Sequence, residues 1–353
     1  MKKITAILFL MQITSLLATG LLLIPETIAL YVRTAVGVLI FALYFKDFKC
    51  SIYLLLSSIF IVIFFITSHN FTCINILFTV WLIFLMKKLG DKNLVKCIFY
   101  STLMFSLVFC AFVINGLIHP DIVYIAESGR YRNNLGFWSA NYPGFISFSC
   151  FMTLFATLGF LKKNIKNKYR IVSYIVMAFC FVIPWIADSR TPGYAMVMAI
   201  FFFMLCYINT FKQIAIRLIP FIPLAALVST IYLSSKSGSN IDFILSGRLT
   251  YYHDFLRELN SWDYIFGTQL PDYALDSSYL ILLSAFGISY ILILTALLIK
   301  AVINNKNKFA LTILFSLMCY GVTEAVMARA EIPVTILFIS LMFINTNKKT
   351  ELT

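Results

Sequence analysis

The chain has little charge. Only 12% of its 353 residues are Asp, Glu, Lys or Arg, while 61% are hydrophobic; soluble domains carry roughly a quarter charged residues. A water-soluble globular domain is therefore excluded. The apolar runs do not alternate in polarity, which excludes the strands of a membrane β-barrel. No CxxC pair and no Cys/His spacing suited to a metal occurs, and there is no P-loop, dinucleotide fingerprint, HExxH or GxSxG motif. Zinc-protease, ATP-driven, redox and hydrolase chemistry thus lack support, and neither a metal nor another cofactor is expected. The eight cysteines stand singly, mostly inside apolar runs, and read as small core or lipid-facing residues.

What is present is a series of apolar runs close to the roughly 20 residues a helix needs to cross a bilayer. They predict an all-α polytopic integral membrane protein, a single membrane domain over 1–353 with both termini cytoplasmic. About twelve transmembrane helices are expected, within a range of ten to twelve: 4–24, 28–45, 50–66, 71–86, 94–118, 139–161, 171–187, 193–210, 214–235, 278–299, 309–323 and 332–344. The first run follows Lys2 and Lys3, exceeds the apolar core of a signal peptide and is followed at once by another, so it is expected to stay as an anchor. Glu324, Arg329, Glu331 and Pro333 interrupt the last pair, where a short re-entrant turn is the alternative.

Lysine gives an independent check, because cytoplasmic loops retain Lys and Arg. With the amino terminus inside, every lysine except Lys236 falls on the cytoplasmic side, in clusters such as Lys87, Lys88 and Lys92. The net charge of +13 therefore reflects topology and contact with anionic membrane lipids rather than nucleic-acid binding. The arginines break the rule: Arg33, Arg130, Arg132, Arg190, Arg248, Arg257 and Arg329 map to the outer side or to a span near it. The guanidinium fork grips phosphate oxygens bidentately and stays charged when partly desolvated. Pairing with the outer carboxylates is the plainer explanation, above all for Arg257 and Arg329.

Two outer segments exceed simple turns, 119–138 and the extracytoplasmic loop 236–277. The second predicts an amphipathic helix near Gly247–Asn260: Leu245, Leu249, Tyr252, Phe255, Leu256 and Leu259 share one arc, opposite Asp254, Arg257 and Glu258. Arg248 lies within the apolar arc at the helix start, so its guanidinium is expected to point inward to an anion, aided by free N–H groups of the first turn; snorkelling past its neighbours is the alternative. At Asp188–Gly193, Thr191 suits an N-cap and Pro192 a first helical position, with Arg190 beside them. Asp276 begins a third such start, either as a cap or as a carboxylate that takes a proton beside an anion pocket. The stretch 129–138 joins Arg130 and Arg132 to amides and aromatics, a combination that suits a lipid-linked saccharide, although an interfacial aromatic belt would account for the rings alone. His69, His119 and His253 all map outside without a shared metal spacing.

These motifs resemble the Wzy-type polysaccharide polymerases and the superfamily those enzymes share with O-antigen ligases. The resemblance is carried by Arg130–Phe137 followed by Asn141, by Ser189–Gly193, by Ser246–Arg248, and by Asp276–Leu280 followed by Gly287. It spans roughly residues 120 to 300. It implies a metal-independent glycosyltransferase of the bacterial plasma (inner) membrane that joins undecaprenyl-diphosphate-linked oligosaccharides on the outer face. A chain-length regulator and a flippase would be its partners. Under that resemblance Arg190 and Arg248 hold the donor diphosphate, and Arg130, Arg132, Asn141 and Tyr279 join them in binding substrate. Asp276 orients or deprotonates the acceptor hydroxyl, with His253 the reserve. The ligase branch usually has a histidine where this chain has Asp276, which favours polymerase over ligase. A flippase for the same lipid is the competing class; it would need charges along a mid-membrane path and often internal repeats, of which Arg33 alone is a sign.

The lysine partition puts the 236–277 loop outside the membrane. A reporter fused near Ser239 is expected to be active only as an exported domain, and cytoplasmic activity at that position would overturn the orientation and every site assigned to the outer face.

Overall fold

The computed structural model describes residues 1–25, 28, 31–32, 35, 52–87, 89–125, 130–161, 164–244, 247–273, 275–329 and 331–345. Most of the predicted 28–45 span, with Arg33, and Leu245 of the amphipathic arc lie outside them. Apolar segments leave the backbone no partner but itself, and helix is the form that satisfies every N–H and C=O within one segment. Accordingly the described chain is almost wholly helical. The helices are α1 (Lys2–Ser15, continued by a π-turn to Gly20), α2 (Ile52–Ser68), α3 (Phe71–Lys87), α4 (Asp91–Ile118), α5 (Asn141–Leu161), α6 (Asn167–Ile186), α7 (Arg190–Leu205), α8 (Asn209–Leu218) and α9 (Ile222–Ser234). They continue with α10 (Asn240–Ile244), α11 (Arg248–Glu258), α12 (Ser261–Phe266), α13 (Ser278–Phe286), α14 (Ser289–Asn304), α15 (Lys308–Tyr320) and α16 (Pro333–Leu341).

Among the described residues the expected twelve spans are not found. Five helical stretches there are long and apolar enough to cross a membrane: Lys2–Gly20, Asp91–Ile118, Asn141–Leu161, Asn167–Ile186 and Asn209–Ser234. A sixth arises if α13 and α14 count as one span broken by 115°. Hydropathy marks an apolar run but neither its helical length nor its continuity. The helices over 52–68, 71–87 and 190–205 are continuous but hold only 17, 17 and 16 residues. The run expected at 278–299 breaks at Gly287, whose φ of +56° favours glycine. The pair expected at 309–323 and 332–344 is cut to thirteen and nine helical residues, because the charged segment 321–332 leaves the helix and α16 restarts only with Pro333 in its first turn. The all-α expectation also needs one exception: within 119–138, β1 (Ile122–Ile125) and β2 (Arg130–Asn133) form an antiparallel hairpin, Ile125 opposite Arg130 and Val123 opposite Arg132.

The exterior of the helices is apolar. Leu292, Ile175 and Phe201 are all more than 60% exposed, as expected where the surroundings are hydrocarbon rather than water. Polar residues inside are satisfied locally: Thr153, Thr157 and Ser173 each donate to the carbonyl four residues back, a pattern that keeps hydroxyls tolerable in apolar bundles.

Helix ends gather into two polar regions. At one end the Asn305 amide donates to the carbonyls of Leu341 and Ile344, and Asn345 N–H donates to Asp91. The other end is the more elaborate. There Trp138 N–H donates to Gly20 O at 3.1 Å, Ser278 N–H to Gly321 O at 2.8 Å, and Ile288 N–H to Tyr264 O at 2.7 Å. Helix α13, buried along its whole length, joins parts of this end: Ser278 meets the 321–327 segment, and six residues on Asn70 donates to Ser284 at 3.0 Å.

At the α13–α14 break a Cβ on Gly287 would lie 2.3 Å from Ile265 O. Gly287→Ala is therefore expected to lower stability by about 2 kcal/mol or more, combining left-handed strain with a backbone clash. Unfolding of the purified protein in detergent would read this, and an unchanged midpoint would show that the bend is not packed as described.

Candidate functional site

The site forms where three segments of the elaborate end meet. Asp242 sets the first of them. Its Oδ1 accepts from Leu249 N–H at 2.8 Å, its Oδ2 from the Thr250 hydroxyl and from Gly238 N–H, and its carbonyl from Gly247 N–H at 2.9 Å. A carboxylate on the first free N–H groups starts a helix and complements its dipole, and Gly247 at φ +74° turns the chain into it. The expected amphipathic helix is thus present over α11, two residues shorter at its end than anticipated, and α12 follows with a capping box between Asn260 and Asp263. Leu249, Tyr252 and Phe255 are buried, Leu256 and Leu259 half-buried, and Asp254, Arg257 and Glu258 exposed, as the arc required.

Ser278 sets the other two segments. Its hydroxyl donates to Glu324 O at 2.6 Å and accepts from Met327 N–H at 3.0 Å, which fixes the start of α13 against the turn after α15. Asp276 and Glu324 are thereby placed side by side, and Arg248 enters between them.

Arg248 points inward, as its position in the arc implied, but the anions it meets belong to the protein. Its Nε lies 3.0 Å from Asp276 Oδ2 and its Nη2 3.1 Å from Glu324 Oε1, while Nη1 donates to Thr323 O. All three nitrogens are engaged. In the first turn of α11 the Leu249 N–H is likewise taken by Asp242. Burial alone would lower the arginine's pKa, but the facing carboxylates raise it above its ordinary value, so the guanidinium is permanently charged. Asp276 is not a cap: the cap position belongs to Ser277, which makes no side-chain capping bond. The Asp276 side chain is 36% exposed and forms the mouth of the cluster, whereas that of Glu324 is 11% exposed.

Glu324 was visible in the sequence only as an interruption of an apolar run. In the connecting turn after α15, burial pushes its carboxyl from 4.5 up to about 7; Arg248 opposes the rise and Asp276 adds to it. Two further side chains, Tyr252 and Tyr320, are near the triad, and Ser277 follows Asp276 in the chain. The hydroxyl of Tyr252 is buried, as are those of Tyr320 and Ser277, and none has a hydrogen-bond partner. Tyr252 and Tyr320 are within electrostatic reach of Arg248, Asp276 and Glu324. Half-buried His253 follows Tyr252 on α11 and takes no part in the cluster's ion pairs.

The other expected site residues fall elsewhere. Arg190 opens α7 with Ser189, not Thr191, in the cap position; its Nε pairs with Asp188 Oδ1 at 2.8 Å and its side chain is half-exposed. No contact joins it to Arg248. Arg132 Nη1 donates to Asn141 Oδ1 at 3.2 Å, linking β2 to the start of α5, and Arg130 opens β2. Tyr279 is fully buried, its hydroxyl donating to Met318 O at 2.9 Å. The start of α5 nevertheless connects these parts: Gly144 lies under Ser189 and Pro192, and Arg329, whose charge reaches Glu324, sits 5.4 Å above the Phe145 ring. Beneath α13 and the turn carrying Glu324 is an apolar cavity of about 530 Å³, walled by Leu282, Phe286, Met327 and helices α2, α3, α14 and α16. No family model, curated protein or solved structure matches the chain.

A carboxyl raised in the folded state favours the protonated form there, so its stabilisation is complete below about pH 4.5 and is lost as pH rises to about 7. The loss for Glu324 is expected to approach about 3 kcal/mol, at roughly 1.4 kcal/mol per pH unit. Thermal unfolding in detergent between those pH values should show this decline in the native chain and a flatter profile in Glu324→Gln. Equal slopes would remove Glu324 as the titrating group.

Proposed function

We propose that this chain is a polysaccharide polymerase, a metal-independent glycosyltransferase that joins undecaprenyl-diphosphate-linked repeat units at the outer face of the bacterial plasma membrane. The observation that carries the proposal is a pair of carboxylates, Asp276 and Glu324, held on one buried guanidinium at the mouth of an apolar helical protein, with Glu324 raised to about 7. A base serves best when its pKa lies near the working pH, and buried, partnered carboxylates in clefts are candidates for that role. The apolar cavity beside the cluster suits the hydrocarbon part of a lipid-linked substrate.

The lipid diphosphate is itself the activated donor, so neither nucleotide nor metal enters the reaction. A sugar hydroxyl of the incoming unit approaches Asp276, the more exposed carboxylate, and gives its proton to the pair. Its oxygen forms the new bond to the anomeric carbon of the growing glycan. The bond from that carbon to the diphosphate oxygen breaks, and undecaprenyl diphosphate departs with the electron pair. Arg248 keeps the carboxylates in place and limits the cost of their mutual repulsion. Contact with the departing diphosphate falls to Arg190, which is half-exposed and engaged only through Nε by Asp188, with Arg132 and Asn141 nearby in the hairpin region.

Deletion of the gene is expected to leave surface glycan of a single repeat unit. Loss of all capped lipid would instead mark a ligase, and cytoplasmic accumulation of the lipid-linked unit a flippase; either result overturns the polymerase. Asp276→Asn and Glu324→Gln are each expected to lower polymer formation by about 100-fold or more at normal expression, the usual weight of a proton-transfer group. Full-length polymer from both variants would remove the carboxylate pair from the chemistry.

A further inference from the structure

The Arg248 cluster has a ligand chemistry that differs from the one its arginine first suggests. A phosphate site needs unengaged donors and positive charge. Here the three guanidinium nitrogens already bind Asp276, Glu324 and Thr323 O. With both carboxylates ionised the triad carries a net charge of −1, and with Glu324 protonated it is neutral. In neither state does the triad itself attract a diphosphate, and Arg329, the further cation whose charge reaches Glu324, lies over the Tyr142 and Phe145 rings.

What the cluster has to spare is hydroxyl groups and carboxylate oxygens. Tyr252, Tyr320 and Ser277 are at most 5% exposed, and their hydroxyl oxygens have no hydrogen-bond partner. Leaving three such groups unpartnered in a low-dielectric interior is costly, and a protein tolerates it mainly where a ligand or ordered water completes the set. Each hydroxyl both donates and accepts, while the ionised carboxylates accept only. The complement of that set is a neutral molecule with several hydroxyls on adjacent carbons: its O–H groups donate to the carboxylates and its oxygens accept from the tyrosines and the serine. An anion would satisfy the hydroxyls but would be repelled by Asp276; a simple cation would satisfy the carboxylates but not the hydroxyls' need for acceptors.

We propose that the Arg248–Asp276–Glu324 cluster, with Tyr252, Tyr320 and Ser277, is a binding site for the neutral sugar ring of the acceptor, and that it excludes the diphosphate. The assignment to the acceptor rests on the polymerase reading; the preference for a neutral polyol follows from the cluster itself. The exposed edge of Asp276 is the entrance, and the tyrosine hydroxyls are the selective donors deeper in. Donor and acceptor are thereby sorted by charge, phosphate toward Arg190 and sugar toward Arg248.

The test uses the full-length protein purified in detergent, with the shift of its thermal midpoint read against glucose, galactose, N-acetylglucosamine and inorganic pyrophosphate. At least one of the sugars is expected to stabilise the native chain. Tyr252→Phe and Tyr320→Phe, which remove only unpartnered hydroxyls and so keep the fold, are each expected to raise the half-saturating sugar concentration by about fivefold, the weight of one neutral hydrogen bond. Any stabilisation by pyrophosphate should be unaffected by those two variants and lost in Arg190→Lys. The site assignment is overturned if no sugar stabilises the protein, if sugar stabilisation is indifferent to both tyrosines, or if pyrophosphate stabilisation depends on them. Such a failure is distinguishable from failure of the polymerase reading, which the glycan pattern of the deletion strain decides on its own.

Discussion

The guanidinium of Arg248 joins α11 to two carboxylate-bearing segments that Ser278 brings side by side. A cation on the buried face of an amphipathic helix, at the edge of an apolar bundle, must find anions within a few ångströms or remain in water. Asp276 and Glu324 supply them from the two sides, 28 and 76 residues later in the chain. Much of the surrounding architecture serves that meeting. Asp242 starts α11 so that its first residue faces inward, Ser278 pins the beginning of α13 to the turn after α15, and the break at Gly287 lets α13 stay at one end of the bundle. Two carboxylates on one arginine leave the site with an excess of negative charge, and the burial of Glu324 answers it by making the proton available near neutral pH.

The same arrangement separates two roles that one residue type suggested together. Both Arg190 and Arg248 begin helices, and in sequence they look alike. Their surroundings make them different reagents. Arg190 is half-exposed, with one short-range partner two residues away, whereas Arg248 is enclosed with every nitrogen engaged. An arginine's identity says that it stays charged; only its neighbours say whether that charge is offered to a ligand or consumed in building a site.

How far the sequence could be read follows from which interactions are local. The 3.6-residue period of α11 places Leu249, Tyr252 and Phe255 inside and Arg257 and Glu258 outside, and Arg248's place in that arc foretells an inward guanidinium. These are relations within one turn or two. The partner Glu324 was not legible, since a carboxylate within an apolar run signals the need for a counter-charge without saying which. Nor was the cap on α11, because Asp242 sits outside the helix and reaches back through a left-handed glycine. The span count failed in part for a related reason: α13 and α14 form one apolar run whose 115° bend depends on the close approach of Gly287 to Ile265 across the loop. In 119–138, polar and aromatic side chains were evident but the antiparallel pairing that makes a hairpin of them was not.

The turn 321–332 also ties the two ends of the chain to each other. Glu331 accepts from Ser15 of α1 at 3.0 Å, seven residues beyond the Glu324 that completes the Arg248 triad. One short turn therefore carries both the second carboxylate of the triad and an anchor of the first helix. A displacement of 321–332 moves the two together, so the packing of α1 and the charge balance around Arg248 are mechanically linked.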